Sequence, residues 1–387
     1  MKFNLSSICN YRNEKVNVET LNNRTYISTE NMLPNKRGVV KATSLPNILQ
    51  TQKFKKGDVL VSNIRPYFKK IWKAEFDGGC SNDVLVFYAN DNIDANFLYY
   101  ILSDDSFFNY SMTTSKGTKM PRGDKNSIMK YMVPDFRIET QTKIASILCS
   151  IDEKIRLNNK INNNLGQQTQ AIFKSWFIDF HPFGGNRPID WVTGIVDDLG
   201  TEIICGKTPS TKRKEYYGGN TPFITIPDMH GCVYNVSTER YLSAAGVASQ
   251  PKKTLPPNTV CVSCIGTAGL VTLVSEKSQS NQQINAIVPK EGISVYYIYL
   301  LMQTLSETIN KLGQSGSTIV NLNKTQFAKI PVTIPSEQVL CNFDTLCKPL
   351  FEMILSNQKE NIRLTNLRDT LLPKLMSGEL DVSDIDL

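Results

Sequence analysis

The feature that most constrains this chain is that it repeats itself once. Ser81-Asn82 recurs as Ser280-Asn281, 199 residues on. At the same offset Phe97-Leu98-Tyr99-Tyr100-Ile101-Leu102 falls on Tyr296-Tyr297-Ile298-Tyr299-Leu300-Leu301, Gly117-Thr118 on Gly316-Ser317, and Lys130 on Lys329. With a further shift of two, Val59-Leu60-Val61-Ser62 falls on Val260-Cys261-Val262-Ser263, and Pro134 on Pro335. A duplicated module explains so many ordered matches most simply. A length of 387 residues accommodates two or three domains.

Each copy has the same internal order. Apolar runs such as Val59–Ser62 and Val84–Tyr88, set between Gly, Pro, Asn and Asp clusters, predict short strands. Phe97–Leu102 reads as a short helix. A helical segment follows: Ile144, Ile147, Leu148, Ile151 and Ile155 keep 3–4 spacing, and Leu165, Ile172, Phe173, Trp176 and Phe177 extend the stripe. In the second copy Leu340, Phe343, Cys347, Leu350 and Ile354 repeat the pattern, then Leu364, Leu367, Leu371 and Leu372, with Pro349 and Pro373 expected to kink or end turns.

Two such stripes in equivalent positions can bury each other as an antiparallel pair, with the mixed domains at opposite ends. A helix of about 25 residues spans about 37 Å, close to the ~34–36 Å of one duplex DNA turn, so the pair is expected to act as a ruler. The plainer alternative is two domains whose C-terminal helices pack on their own cores. Asn158, Asn159, Asn162, Asn163 and Asn164 are weak helix formers that mark a turn, a frayed stretch, or polar positions that set helix register. The fold expected is α+β: two pseudo-repeated mixed α/β domains, 1–138 and 184–335, separated by long antiparallel coiled-coil-like helices in 139–183 and 336–387.

Charge is uneven along these four blocks. The net charge of +7 divides as +7, +1, +3 and −4 over 1–138, 139–183, 184–335 and 336–387. The basic excess lies in the two mixed domains, which suits two separate polyanion-binding surfaces. Nine cysteines, scattered from Cys9 to Cys347, form no disulfide framework. No apolar run nears the ~18 residues that cross a bilayer, and the start Met1-Lys2-Phe3-Asn4-Leu5-Ser6 does not read as a signal peptide, so a cytoplasmic protein is expected.

Catalytic motifs fail one by one. Gly206-Lys207-Thr208 resembles the end of a phosphate-binding loop, but the position that needs the first glycine is Thr201, and Gly200 is one too far. Cys261 and Cys264 form a single Cys-x-x-Cys inside an apolar alternation, which suits small core residues better than a metal site. His181 and His230 are too few for a histidine metal site or a base-and-nucleophile set. No glycine-rich dinucleotide turn and no Glu-x-Lys triplet occurs. The expectation is a binding protein with no cofactor or metal of its own.

Three segments concentrate cations, flat side chains and glycines. Asn63–Lys70 carries Arg65, Tyr67, Lys69 and Lys70. Lys116–Lys125 carries Lys116, Thr118, Lys119, Arg122 and Lys125. In the second copy Lys207–Gly219 carries Lys207, Thr208, Lys212, Arg213, Lys214, Tyr216 and Tyr217, and Ser315 and Lys324 complete the candidate set. Lys and Ser/Thr donors suit phosphate oxygens, and Arg can read guanine through a bidentate pair.

The chain resembles the DNA specificity subunit of type I restriction–modification systems over nearly its whole length. The resemblance is carried by Lys56–Pro66, Gly78–Val84, Lys116–Gly123, Lys143–Leu148 continuing to Asp152–Ile155, Ala171–Phe177, Gly206–Ser210 and the ending Leu367–Leu380. It implies a non-catalytic subunit with two target-recognition domains, each reading one half of a bipartite site on double-stranded DNA. It further implies helical conserved regions that set the spacer and hold methyltransferase (modification) subunits, with a restriction subunit joining the assembly. S-adenosylmethionine, ATP and magnesium then belong to those partners. Ile151, Ile155, Phe173, Trp176, Phe177, Leu367, Leu371 and Leu375 are the corresponding candidate docking residues. Val260–Gly266 lacks the Arg-Pro of the first copy, so Arg65 has no evident counterpart, and an asymmetric site is expected. Competing classes are a standalone DNA-modifying enzyme, for which no residue set is visible, and a purely structural coiled-coil adaptor without DNA preference.

Overall fold

The computed structural model describes residues 2–314, 320–383 and 385. The chain divides into two compact units, residues 1–154 with 364–387, and residues 155–363.

In the first unit the strands Cys9–Tyr11, Val84–Ala89, Val59–Ser62 and Ile71–Lys73 lie in that order in one antiparallel sheet. This sheet is buried on both faces, which is why its strands read as unbroken apolar runs. Side chains alternate: Val59, Val61, Leu85 and Phe87 enter one core, while Leu60, Val84 and Val86 enter another with Ile27, Phe54 and Trp72. A smaller sheet of Lys15–Asn17, Gln50–Phe54, Gly78–Cys80 and Tyr26–Ile27 accompanies it, its last pair parallel. The strand Lys2–Asn4 closes on Met132–Pro134.

The second unit repeats the plan. Gly200–Cys205, Ile284–Pro289, Val260–Ser263, Val271–Val274 and Tyr234–Asn235 form the main sheet, and Val192–Ile195 closes on Pro331–Ile334. Val260, Val262 and Ile287 face one core, and Cys261, Ile284 and Ala286 the other. Cys261 and Cys264 are therefore core residues, with burial pushing each thiol up to about 12, and all nine cysteines are free. The short helices expected at Phe97 and Tyr296 are Ala95–Ser103 and Val295–Thr304. Asp94 and Ser294 cap them, Asp94 accepting from the Asn96 and Phe97 N–H groups and Ser294 from the Tyr297 N–H.

The helical segments are longer than about 25 residues: Ile138–Phe177 has 40 and Glu337–Ser377 has 41. Pro349 and Pro373 end neither helix nor turn, since Glu337–Ser377 is continuous through both. Each proline is exposed and forfeits one backbone bond, and burial of the neighbouring residues on the helix's inner face, Cys347 and Phe351 about Pro349 and Leu372 and Leu375 about Pro373, offsets the loss. Within the second unit Leu165 and Phe173 share a core with Phe343, Phe351 and Ile354, so the helices both pair and pack on the domain. Three of the five asparagines, Asn158, Asn159 and Asn162, form the polar centre of this pairing, and Asn163 and Asn164 are exposed. Asn158, 1% exposed, donates to Asn361 Oδ1 at 2.9 Å and Glu360 Oε2 at 2.7 Å, and Asn357 donates to Asn162 Oδ1 at 2.9 Å. Rising numbers on one helix meet falling numbers on the other, an antiparallel register set by directional amide bonds. Within the first unit Arg368 donates to Asp152 Oδ1 at 2.7 Å and Tyr100 to Asp152 Oδ2 at 2.8 Å.

Asn158→Ala is expected to cost about 1–3 kcal/mol, because the half-buried Asn361 carbonyl loses the donor that the buried Asn158 supplies. Asn163→Ala, at an exposed position, is expected to stay within about 0.5 kcal/mol of the parent. Urea midpoints followed by helical circular dichroism test both, and equal midpoints would remove the register role.

Candidate nucleic-acid interface

In the first unit the sheet brings two of the expected loops together. Asn63–Lys70 leaves the strand Val59–Ser62 and crosses the returning segment Lys116–Gly123. Ile64 bridges to Arg122 and Lys116 to Arg122, the Arg65 N–H donates to the Pro121 carbonyl at 2.8 Å, and the Gly123 N–H donates to the Asn63 carbonyl at 3.3 Å. Gly123 permits this closure, since a Cβ there would lie 2.8 Å from both Asn63 Oδ1 and Ile128 Cδ1. Arg65 and Lys69 take left-handed backbone, φ 50° and 49°, on either side of a 3-10 turn that exposes Tyr67 and Phe68.

The cations of this unit divide by partner. Lys69 and Lys36 both pair with Asp105, at 2.7 and 2.8 Å; burial opposes ionisation of that carboxyl, but the two ammonium groups hold it below the usual range. Lys70 donates to the Thr29 carbonyl at 2.6 Å, half-buried above the Phe68 ring, and desolvation lowers its pKa. Arg122 pairs with Asp83 at 3.0 Å, and Lys116 with Asp124 at 3.0 Å. Thr118, Lys119 and Lys125 are exposed, and both lysines lack an ion pair among the described residues. Lys70 thus serves the loop's own structure, whereas Lys119 and Lys125 present free charge.

In the second unit Lys207–Tyr217 is anchored from below. The Lys207 N–H donates to the Ser280 carbonyl at 2.9 Å, Gln250 donates to the Lys207 carbonyl at 2.7 Å, and the Thr208 hydroxyl donates to Gln282 at 2.8 Å. The Tyr217 hydroxyl is committed to the Pro209 carbonyl at 2.7 Å. Arg213 donates to the Tyr216 hydroxyl at 2.7 Å. Lys207, Lys212 and Lys214 remain exposed, as does Lys324, next to the Asn323 cap of the helix Lys324–Ala328. Ser315 lies outside the described residues.

The same crossing recurs here. Ile265 bridges to Asn321, and the Gly266 N–H donates to the Val320 carbonyl at 2.9 Å. Gly266, with φ 76°, therefore occupies the backbone position of Arg65, a counterpart that side-chain comparison did not reveal. The sequence reading also missed Asn63, Asp83 and Lys36. Asp83 directly follows the Ser81-Asn82 pair that recurs in the second copy, a visible signal, whereas Lys36 arrives only through folding.

The helical candidates behave differently. Phe173, Trp176 and Phe177 pack with Phe343 at ring distances of 6.4, 5.9 and 4.9 Å in the second unit's core. In the first unit Leu371 and Leu375 join the domain core, Ile151 is buried, and Leu367 stands 47% exposed. Ile155, in the second unit, is half-buried. What covers most of these side chains is the chain itself. No three His, Cys, Asp or Glu gather as a metal group among the described residues, where also no helix is long and apolar enough to cross a membrane.

Two mixed domains share one backbone loop crossing, which carries cations in the first unit and is built from segments other than the cationic Lys207–Tyr217 loop in the second. The shared plan defines a repeated recognition protein. The family model for the type I restriction modification DNA specificity domain matches twice, over residues 1–167 and 188–342, and the chain belongs to this family. It is similar to the type I restriction enzyme HindI specificity subunit of Haemophilus influenzae, at 32% identity over 98% of this chain and 99% of the relative. The MjaIX specificity subunit of Methanocaldococcus jannaschii is 25% identical over 76% of this chain and 71% of its own. The fold is similar to the crystal structure of the type I restriction–modification system S subunit from M. genitalium, with a TM-score of 0.57 at 18% identity over 99% and 96% of the two chains.

Asp124 caps the helix that follows the first crossing and pairs with Lys116. The Ser127 backbone N–H, then Lys116, hold its carboxyl down to about 2 from an ordinary 3.8. A depressed folded-state pKa means the contact is complete above pH 3.8 and is lost as pH falls through about 2. Carbon-13 titration of the Asp124 carboxyl should show a midpoint near 2, and a midpoint at the ordinary value would remove the anchoring role.

Proposed function

We propose that this chain is the DNA-reading subunit of a type I restriction–modification complex, each mixed domain contacting one half of an asymmetric bipartite site in double-stranded DNA. The observation that carries this reading is the loop crossing built twice on one backbone plan, with different residues in the two copies. Equivalent backbone frames with unlike side chains suit two half-sites of unlike sequence. Exposed lysines at 119, 125, 207, 212, 214 and 324 supply the phosphate contacts.

The long helices set the spacer between half-sites and carry the methyltransferase subunits, with Leu367 an open contact for them. The subunit itself is non-catalytic and cytoplasmic. S-adenosylmethionine is bound by the modification subunits, and ATP and magnesium by the restriction subunit that completes the assembly.

Mapping methylated adenines in the source cell with and without this gene tests the reading. Loss of one gapped motif on deletion is the expected result, and an unchanged map would refute it. In the reconstituted complex, Lys119→Ala should weaken binding to all sequences alike and lower the salt slope by about 1. Matched seven-residue insertions after Leu165 and before Ile354 should lengthen the preferred spacer and leave both half-sites unchanged. A changed half-site at constant spacer would overturn the ruler.

A further inference from the structure

We infer that Arg65 is the residue through which the first domain selects a guanine, and that the second domain reads its half-site without an equivalent contact. This rests on the DNA-reading function proposed above. The loop crossing requires left-handed backbone at the residue whose N–H meets the returning strand. The second domain satisfies that demand with Gly266, φ 76°, bonded to the Val320 carbonyl. The first domain places an arginine there, φ 50° and ψ 64°, bonded in the same way to Pro121. An L-residue in this conformation is strained, and glycine is the unstrained solution that this fold already uses.

The arginine's side chain does not offset that strain from within. Among the described residues its Nε is buried without a hydrogen-bond partner, and Asn63 Oδ1, two residues earlier, is a buried acceptor equally without a donor. The buried Nε and Asn63 Oδ1 are not themselves open to a base, but a strained arginine whose guanidinium has no hydrogen bond or ion pair among the described residues, held where two loops cross, points to an external ligand for its terminal nitrogens. The corresponding residue to Asn63 in the second domain is Cys264, a buried thiol beside Val262, so that domain has neither the amide nor the guanidinium.

Guanine is the base that fits. Its major-groove edge offers two acceptors, O6 and N7, and a guanidinium presents parallel N–H donors at the matching spacing. A phosphate contact would need only charge, which Lys119 and Lys125 supply from exposed positions on the returning segment and just after it. Arg122, the other arginine of the crossing, is already paired with Asp83.

The test uses the full chain reconstituted with its modification subunits, comparing the parent with Arg65→Gly and Arg65→Lys. Methylation of a randomised DNA library gives the motif, and thermal melting gives the stability. Arg65→Gly should melt at or above the parent temperature, because it copies Gly266 and relieves the left-handed backbone. It should lose the preference for one G·C pair in one half-site, by roughly 5- to 150-fold, with the other half-site intact. Arg65→Lys should lose the same preference while keeping the salt dependence of binding, since the charge remains and the fork does not.

An unchanged motif in Arg65→Gly, full discrimination in Arg65→Lys, or a lower melting temperature for the glycine variant would each overturn the inference. A parent complex that yields no gapped motif would instead refute the DNA-reading function, and the assignment of Arg65 with it. The two failures are distinguished by whether the parent or the variant behaves unexpectedly.

Discussion

Everything that positions the loops depends on a sheet buried on both faces. Val59 and Val61 feed one core while Leu60 between them feeds another, and Val260, Cys261 and Val262 do the same in the second unit. A slip of one residue would exchange every side chain between two differently shaped cores, so register is strongly specified. The residues leaving these strands, Asn63 to Arg65 and Cys264 to Gly266, therefore emerge at a defined place. There they meet a returning segment more than fifty residues further along the chain.

That rigidity allows the loops to differ. Core positions of the two copies are matched in type, and even Cys261 stands where Leu60 does, an apolar side chain of smaller volume. At the crossing, by contrast, Arg65 corresponds to Gly266 and Asn63 to Cys264 in the alignment of the two copies. Duplication kept the backbone hydrogen bonds, Arg65 to Pro121 and Gly266 to Val320, and released the side chains. Conserving a frame while varying what projects from it is how one fold can serve two recognition tasks.

The long helices combine an apolar stripe with amide pairs. Apolar packing alone tolerates sliding by a turn, whereas Asn158 to Asn361 and Asn162 to Asn357 must align donor with acceptor. Asparagines that lower intrinsic helix propensity are thus retained where they specify alignment. Pro349 and Pro373 show the converse, since tertiary packing carried the helix through residues that local propensity would use to stop it.

The duplication, the strand and helix types, the cationic loops and the family membership were legible in the residues, because repeats, hydrophobic periods and charge are local properties of a chain. The aromatic stripe was legible too, but its use was not: Phe173, Trp176 and Phe177 pack against the chain's own Tyr297 and Phe343, a matter of which surface folds onto which. Likewise Lys70 and Lys119 look alike as letters, and only folding commits one to the Thr29 carbonyl and leaves the other free. The equivalence of Arg65 and Gly266 lies in a shared φ and a shared backbone bond, which no comparison of side chains could display. What the sequence determined by itself was pattern and composition. The tertiary structure decided which polar groups are satisfied, because that depends on partners distant in the chain.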